Sequence, residues 1–109
     1  MENKKSLWEI LVPRFSNTHE EFGLEFHKKW DEKVREISGG LTVLKTAKGY
    51  WVNSKDKLFV EEMIPVRIYC SEEEMDKIMN YTLNYYNQEA VMSYIISDKV
   101  KILNKNDNR

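Results

Sequence analysis

Apolar residues recur at three- and four-residue intervals in two stretches of the chain, with polar and charged residues between them. The first stripe consists of Phe22, Phe26, Trp30, Val34 and Ile37. The second consists of Met75, Ile78, Met79, Thr82, Leu83 and Tyr86. This spacing is that of one face of an α-helix. Two amphipathic helices are therefore predicted.

Capping signals indicate where these helices begin and end. Thr18 and Ser71 each precede a glutamate by three residues, which is the spacing of a capping box. We expect the first helix to begin at Thr18 or within a turn of it. Residues 38–40 should end it, with positive φ at Gly39 and Gly40. The second helix should begin after Ser71 and end at residues 87–88.

Shorter runs of apolar and β-branched residues predict the strands. They cover residues 7–13, 41–46, 50–53, 58–70, 90–96 and 99–103. Residues 47–49 should form a three-residue turn with positive φ at Gly49. Pro65 interrupts the longest run, where its missing amide predicts a bulge or a sheet edge.

The resulting order, β-α-β-β-β-α-β-β, predicts the fold class. Without the extra hairpin strands it is βαββαβ, the ferredoxin-like α+β plan with two helices on one face of an antiparallel sheet. We expect a single domain over residues 1–109, with residues 104–109 as a frayed tail. The face without helices must accommodate some of the large rings, namely Trp8, Trp51, Phe59, Tyr69 and Tyr94. This predicts a homo-oligomer, a dimer or larger, built through that face or a sheet edge.

Composition and charge narrow the range of partners. Seventeen basic and 18 acidic side chains give a formal net charge of -1, which provides no long-range field for a nucleic-acid polymer. The single cysteine, Cys70, fits a reducing compartment, and a cytoplasmic location is expected. No segment approaches the roughly 18 apolar residues of a membrane span. We therefore expect no nucleic-acid polymer, membrane or cofactor as a partner.

The segment GGLTVLKTAKGYW, residues 39–51, contains three of the four glycines. A phosphate-binding loop needs glycines that lead into a helix N-terminus, where free amides meet the anion. Here a predicted helix precedes the glycines and a strand follows them. The segment is therefore predicted to turn the chain and not to bind phosphate.

Four short motifs, in this order, resemble a family of small bacterial domains of unknown function. They are GLTV at residues 40–43, Gly49-x-Trp51, Glu61, and QExV at residues 88–91. The likeness covers about residues 30–102. It implies a ferredoxin-like fold without an established activity, and it marks Glu61 as a special position. The segment before Trp30 and the region around Pro65 depart from the pattern.

The predicted topology is also similar to that of nitrogen-regulatory signalling proteins and copper-tolerance trimers. Both groups form oligomers, and the signalling proteins bind nucleotides between subunits. The resemblance is one of plan, because the ligand-contacting loops have no counterpart that can be placed here. It implies small-ligand binding by an oligomer.

Candidate ligand-binding residues form two groups of rings and cations. Trp51 offers a ring for stacking, while Lys48 and Arg67 offer cations for an anionic group. Tyr81 and Tyr85 are an i,i+4 pair that could form a stacking shelf for a flat ligand. The alternative is that these rings pack against a sheet edge or a partner and that the cations are solvated.

Two polar positions complete the candidate set. Glu61 could anchor an amine or hydroxyl, or act as a general base, and the alternative is a salt bridge to a lysine. Because Glu61 and Glu62 are adjacent in a strand, they should point to opposite faces. Gln88 could cap the helix end or bind across a subunit boundary.

Catalytic and metal-binding sets are not recognisable in the sequence. His19 and His27 are too far apart on a helix to share a metal without further ligands. Cys70 precedes a helix N-terminus, which can activate a thiol, but a packed small residue is the favoured interpretation. No catalytic or metal-ligating residue is therefore assigned.

Three function classes remain open. The favoured one is a non-catalytic, oligomeric small-ligand-binding module that senses or sequesters a small, nucleotide-like or anionic metabolite at a subunit boundary. The first alternative is a protein-interaction adaptor that acts through the open sheet face. The second is a small enzyme with Glu61 as general base.

Overall fold

Five strands and two helices make up the computed structural model, which describes residues 4–105. In chain order they are β1 (Lys5–Pro13), α1 (Leu24–Ser38), β2 (Thr42–Val43), β3 (Ala47–Val52), β4 (Leu58–Ser71), α2 (Glu72–Tyr85) and β5 (Ser93–Ser97). All strand pairs are antiparallel, in the order β2-β4-β1-β5, and β3 also pairs with β4. The predicted α+β, ferredoxin-like class is confirmed. Residues 106–109 of the expected frayed tail lie outside the described residues.

The hydrophobic core lies between the two helices and one face of the sheet. Its fully buried apolar side chains are Ile10, Val12, Trp30, Val34, Val66, Ile68, Cys70, Met75, Ile78 and Tyr86. Both predicted helical stripes contribute to it, and so do alternate positions of β1 and β4. Inside the core the indole Nε1 of Trp30 donates to Thr82 Oγ1 at 2.9 Å, and this hydroxyl donates to the Ile78 carbonyl at 2.6 Å. The core therefore contains a buried polar contact whose hydrogen bonds are satisfied.

The opposite sheet face, which we call the open face, carries no helix. Strand alternation and register place on it the side chains of Leu7, Glu9, Leu11, Pro65, Arg67, Tyr69 and Tyr94. The same alternation along β4 and β3 adds Trp51 and Phe59. Of the rings considered for this face, Trp8 belongs instead to the helix side, where it packs against the core.

The beginning of the first helix differs from the prediction. Helix α1 begins at Leu24, after Gly23 as an N-cap without a side-chain cap. Thr18 does not cap it, because Ser16 Oγ accepts hydrogen bonds from the amides of Thr18 and Glu20. These local bonds give the chain an alternative to helix. The expected capping box at Thr18 was therefore wrong.

The other predicted helix ends are largely confirmed. At the end of α1, Gly39 has a φ of 93° and its amide donates to the Arg35 carbonyl, whereas Gly40 does not have positive φ. At the start of α2, Ser71 and Glu74 form both bonds of a capping box. The capping signals were therefore correct at Gly39 and Ser71 and wrong at Gly40.

The hairpin prediction was wrong in its turn. Residues 47–49 belong to the continuous strand β3, and Gly49 does not have positive φ. A Cβ at Gly49 would lie 2.6 Å from Cε of Met63, the flexible end of that side chain, so a larger residue here would require Met63 to move. The connection to β4 is residues 53–57, where the Asn53 side chain accepts from the amides of Lys55 and Lys57.

The end of the chain contains one strand where two were expected. Between residues 86 and 105, β5 is the single strand, and residues 99–103 are not a strand. The Ser97 hydroxyl accepts from the Lys99 amide and donates to the Lys99 carbonyl, which turns the chain away from the sheet. This local turn prevents a second strand.

Pro65 lies opposite an interruption between β2 and β3. Val43 pairs with Val66, and Ala47 pairs with Met63. Between these two pairs the segment that joins β2 and β3 advances four residues, while β4 advances three. The extra residue is a bulge, and it lies on the partner strand and not on the one that contains Pro65. The Leu44 amide donates to the Pro65 carbonyl on this side at 2.9 Å, but Pro65 has no amide to return.

Beyond this interruption, β3, residues 58–62 and the turn between them form a two-stranded ribbon, which we call the arm. The molecule measures 58 × 30 × 26 Å. The arm exposes several large apolar side chains, namely Tyr50, Trp51, Val52, Leu58 and Val60. Within the described part of the chain no helix is both long and apolar enough to cross a membrane.

Candidate ligand-binding site

A cavity of about 560 Å³ lies at the base of the arm. Its walls come from the loop after β1 (residues 15–19), the arm residue Lys48, residues 59–63 of β4, and Gln88. Short hydrogen bonds hold the loop, including the Ser16 amide to the Glu20 carbonyl at 2.7 Å. The cavity therefore has one wall from the body of the domain and one from the arm.

Three of the seven predicted ligand-binding residues line this cavity. They are Lys48, Glu61 and Gln88. Trp51 does not line it, but its ring stacks on Phe59, a lining residue, at 4.4 Å between centroids and 12° between planes. The fold thus brings together residues that are up to 40 positions apart in the chain, from Lys48 to Gln88.

The polar groups of the cavity differ in their bonding. The carboxylate of Glu62 pairs with Arg14 at 3.5 Å, and Arg14 also pairs with Glu21 at 3.1 Å. Within residues 4–105 neither Glu61 nor Lys48 forms an ion pair or side-chain hydrogen bond. A free carboxylate and a free ammonium group are therefore available to a ligand.

Glu61 and Glu62 point to opposite sides of the arm, as predicted. Glu61 is opposite Gly49 and shares the side of Trp51 and Phe59, whereas Glu62 is opposite Lys48. Within residues 4–105 Glu61 does not form the salt bridge to a lysine that was the alternative, whereas Glu62 pairs with Arg14. Glu61 is the carboxylate left free.

The remaining candidates lie elsewhere. Tyr81 stacks on Tyr85 at 5.2 Å, and Tyr85 stacks on Phe26 of α1 at 4.2 Å. The Tyr85 hydroxyl also donates to the Phe26 carbonyl at 2.8 Å. These rings connect the two helices and do not line the cavity, so a ligand shelf at Tyr81 and Tyr85 stays a prediction.

Arg67 belongs to a polar cluster on the open face. Its Nε donates to Glu9 at 3.0 Å, and the Tyr94 hydroxyl donates to the other carboxylate oxygen of Glu9. Glu9 is only 8% exposed. The hydrogen bond from Tyr94 and the bond and charge of Arg67 outweigh burial and hold the pKa of Glu9 below its usual value. Arg67 thus has a partner within the chain.

This cluster gives a pH-dependent stability. The pKa of Glu9 is lower in the folded than in the unfolded state, so its ionised form stabilises the fold above about pH 4.5. That contribution is lost as the pH falls through the folded-state pKa. We expect Glu9→Gln to cost about 1.5 kcal/mol at pH 7 and progressively less on acidification. Urea unfolding at pH 7, 5, 4 and 3 measures both effects.

The matched control for this variant is Glu32→Gln, which removes an exposed carboxylate on α1. We expect it to change stability by less than about 0.5 kcal/mol at every pH. A Glu9→Gln protein that loses stability with acid as steeply as the unmodified protein would show that Glu9 does not contribute through its charge.

Two groups that sequence reasoning considered for chemistry are structural. Cys70 is fully buried, and burial raises its pKa to about 11, so the packed interpretation is confirmed. His27 Nδ1 forms a 2.6 Å hydrogen bond with the Tyr86 hydroxyl, and burial lowers the pKa of His27. Within residues 4–105 no group of three or more His, Cys, Asp or Glu side chains is placed to hold a metal ion.

Sequence reasoning missed three parts of these sites. Phe15 and the rest of its loop were treated as the approach to a helix, and Phe59 was noted as a ring but not as a cavity residue. Glu9 was treated as a simple strand position. The position of Glu9 in the middle of an apolar strand could have indicated a buried carboxylate, because neighbouring strands enclose such a position.

Comparison with known proteins shows the fold. No protein-family model matches the chain. No curated protein sequence matches it either. Among solved structures, a phage SAM lyase in complex with S-methyl-5'-thioadenosine superposes with a TM-score of 0.66 at 14% identity, over 90% of this chain and 84% of the other.

Two divalent cation tolerance proteins are also similar in structure. CutA1 from Oryza sativa has a TM-score of 0.63 at 9% identity, over 94% of this chain and 85% of its own. The protein from Thermus thermophilus has a TM-score of 0.60 at 7% identity, over 84% of each chain. These proteins share the ferredoxin-like arrangement described above.

Proposed function

We propose that this chain forms a homo-oligomer that binds a small ligand of the adenine-nucleoside class in the cavity at the base of the arm. The observation that carries the proposal is that Lys48, Glu61 and Gln88 all border one cavity, whose walls also contain Phe15 and Phe59, with Lys48 and Glu61 on opposite faces of the arm. Small-molecule sites combine apolar and aromatic walls with a few polar groups that orient the ligand. The cavity has this composition.

Each group has a role that suits a nucleoside. Phe15 and Phe59 offer apolar ring surface for a base. The unpaired Glu61 carboxylate can accept hydrogen bonds from a ribose diol or from an amine, and Lys48 can bind an anionic substituent. Gln88 uses its amide nitrogen on the Tyr86 carbonyl at 3.1 Å, which leaves its amide oxygen as an acceptor.

The exposed arm supports assembly. The side chains of Tyr50 and Val60, which are paired across the ribbon on one of its faces, are 65% and 54% exposed, and Val60 lines the cavity. Contiguous exposed apolar surface of this kind is typical of protein interfaces. A second copy that covers the arm would close the open side of the cavity and place the site at a subunit boundary.

The structural neighbours support the ligand class. The phage SAM lyase, whose bound S-methyl-5'-thioadenosine is an adenine nucleoside, has the same fold over nine-tenths of this chain. At 14% identity this is a likeness of fold, so the ligand class comes to this chain as a proposal.

Glu61→Gln tests the site. We expect isothermal titration calorimetry with adenosine and S-methyl-5'-thioadenosine to give affinities about 10- to 100-fold weaker for this variant, because a charge-assisted hydrogen bond is lost. The control is Glu32→Gln, which should bind as the unmodified protein does. Equal affinities in all three proteins would remove Glu61 from the site.

The assembly is tested separately by native mass spectrometry of the purified protein. We expect an oligomer, with a reproducible small-molecule mass if ligand is retained. A bare monomer that binds no nucleoside would contradict the proposal and favour the adaptor hypothesis, in which the open face binds another protein.

A second candidate function is an enzyme that acts on SAM. The unpaired Glu61 carboxylate and the lyase with the same fold favour it. If it is correct, incubation with SAM will break the bond between sulfur and the aminobutyrate chain, releasing S-methyl-5'-thioadenosine and the four-carbon fragment as its lactone faster than in protein-free buffer. Glu61→Gln will lose this turnover while the fold is retained. Unchanged SAM after prolonged incubation would support the non-catalytic function.

A further inference from the structure

Hydrogen bonds on both sides of β4 fix the direction of its main-chain groups. The Arg14 amide donates to the Glu62 carbonyl at 3.2 Å on the β1 side, while the Leu44 amide donates to the Pro65 carbonyl at 2.9 Å on the other side. Main-chain groups alternate between the two sides of a strand. Even-numbered residues of β4 therefore direct their amide and carbonyl groups toward β1.

This direction leaves Val60 at an open edge of the strand. Strand β1 ends at Pro13, opposite Met63, and the chain then leaves the sheet after Arg14. The β3–β4 register is continuous from Leu58 to Met63, so the alternation persists through the arm. The amide and carbonyl of Val60 thus point past the end of β1, and no backbone partner is recorded for them within residues 4–105.

The same residue lines the candidate cavity. Its amide donor and carbonyl acceptor lie side by side in the plane of the sheet, because both groups of one extended residue point the same way. Buried main-chain groups require partners, so a ligand that fills the cavity has to satisfy them. The complement is a planar group with an adjacent acceptor and donor.

We propose that the main-chain amide and carbonyl of Val60 recognise the N1 and N6 edge of adenine. The amide would donate to N1, and the carbonyl would accept from the 6-amino group. This inference rests on the proposed function, and it assigns a specificity-determining residue to that site. A 6-oxo base presents the reversed order of donor and acceptor to the same edge, so a sugar held at Glu61 would make the site select adenine.

A ligand fits this edge better than a peptide strand does. Beyond the end of β1, Leu58 and Val60 are the even-numbered residues of β4 whose main-chain amide and carbonyl groups point to the β1 side. The loop of residues 15–19 forms the cavity wall beside Val60. Added strands in proteins usually pair over several residues. Pairing of this edge with another copy of the chain is an outcome that the test below distinguishes.

A proline at position 60 removes the main-chain amide and changes no cavity side chain except that of Val60. Val60→Pro deletes the N–H, and proline is tolerated at an edge position whose amide does not take part in the ladder. Leu58→Pro is the matched control, because Leu58 has the same orientation on the same edge but does not line the cavity. Thermal melting of both variants checks that the fold is retained.

Ligand analogues make the test independent of folding effects. We expect the unmodified protein to bind adenosine and 7-deazaadenosine equally, and 1-deazaadenosine, which lacks the N1 acceptor, about 10- to 100-fold more weakly. Val60→Pro should bind adenosine about as weakly as the unmodified protein binds 1-deazaadenosine, with no further loss for 1-deazaadenosine. Leu58→Pro should retain both affinities.

The outcomes separate the two proposals. If the unmodified protein does not bind adenosine, the proposed function fails and this inference fails with it. If adenosine and 1-deazaadenosine bind equally well, only the proposed hydrogen bonding of Val60 to adenine is overturned. If Val60→Pro dissociates the oligomer, the edge pairs with another copy, and the inference is likewise overturned.

Discussion

Replacement of Trp30 by alanine should lower the free energy of unfolding by about 3–5 kcal/mol. The side chain is 1% exposed and belongs to the core between the helices and the sheet. Its removal leaves a large cavity and frees the Thr82 hydroxyl from its indole donor. Urea unfolding followed by circular dichroism measures the loss, which is a large part of the stability of a domain of this size.

Two controls separate packing from hydrogen bonding. Thr82→Val keeps the volume but leaves the buried Trp30 Nε1 without its acceptor, so we expect a smaller loss of about 1–3 kcal/mol. Tyr50→Ala removes a ring that is 65% exposed and should change stability by less than about 0.5 kcal/mol. A Trp30→Ala protein as stable as Tyr50→Ala would contradict the core described here.

Leu11→Glu should dissociate the proposed oligomer if the open face is the interface. Leu11 lies on this face opposite Pro65, two residues from the buried carboxylate of Glu9. A second carboxylate there would have to be buried without a cation, beside a like charge. We expect the dissociation constant to rise at least about 100-fold, as measured by sedimentation or native mass spectrometry across a concentration series.

Asn80→Glu provides the matched control, because it also replaces a neutral residue with glutamate but does so on the exposed side of α2. It should leave the oligomer intact. A Leu11→Glu protein that folds and keeps its full assembly would place the interface elsewhere, with the arm as the remaining apolar surface.

The sequence was most informative where one physical signal acted alone. The stripes that include Trp30 and Met75 predicted both helices because a helix buries one face with a fixed period. Ser71 predicted the start of α2 because its hydroxyl accepts a hydrogen bond from the Glu74 amide, while the Glu74 carboxylate accepts one from the Ser71 amide. In both cases the determining pattern is local and visible in the sequence.

Predictions failed where a longer-range contact or a competing local bond determined the structure. Gly49 signalled a turn, but it lies inside strand β3, next to the flexible end of the Met63 side chain. Thr18 signalled a helix cap, but its amide donates a hydrogen bond to the Ser16 hydroxyl in a local turn instead. Neither outcome follows from spacing alone, because each depends on which of two partners an atom finds.

The candidate site was accessible to sequence reasoning only through its side chains. Glu61 was selected because the resemblance marks it, and Lys48 was selected as a cation near Trp51. The fold brings both to the same cavity as Gln88. Val60 could not be selected, because its contribution comes from main-chain groups that are free only where β1 ends. That property is set by the relative lengths of two strands.

The break at Pro65 also has an energetic consequence for the arm. At its base the arm lacks one ladder hydrogen bond, and among the described strands β3 pairs with β4 alone, so we expect the arm to bend more easily than the core. If a ligand and a neighbouring subunit both restrain the arm, the binding of one lowers the conformational entropy of the arm that is lost when the other binds. Binding and assembly would then be positively cooperative, and the apparent ligand affinity would increase with protein concentration.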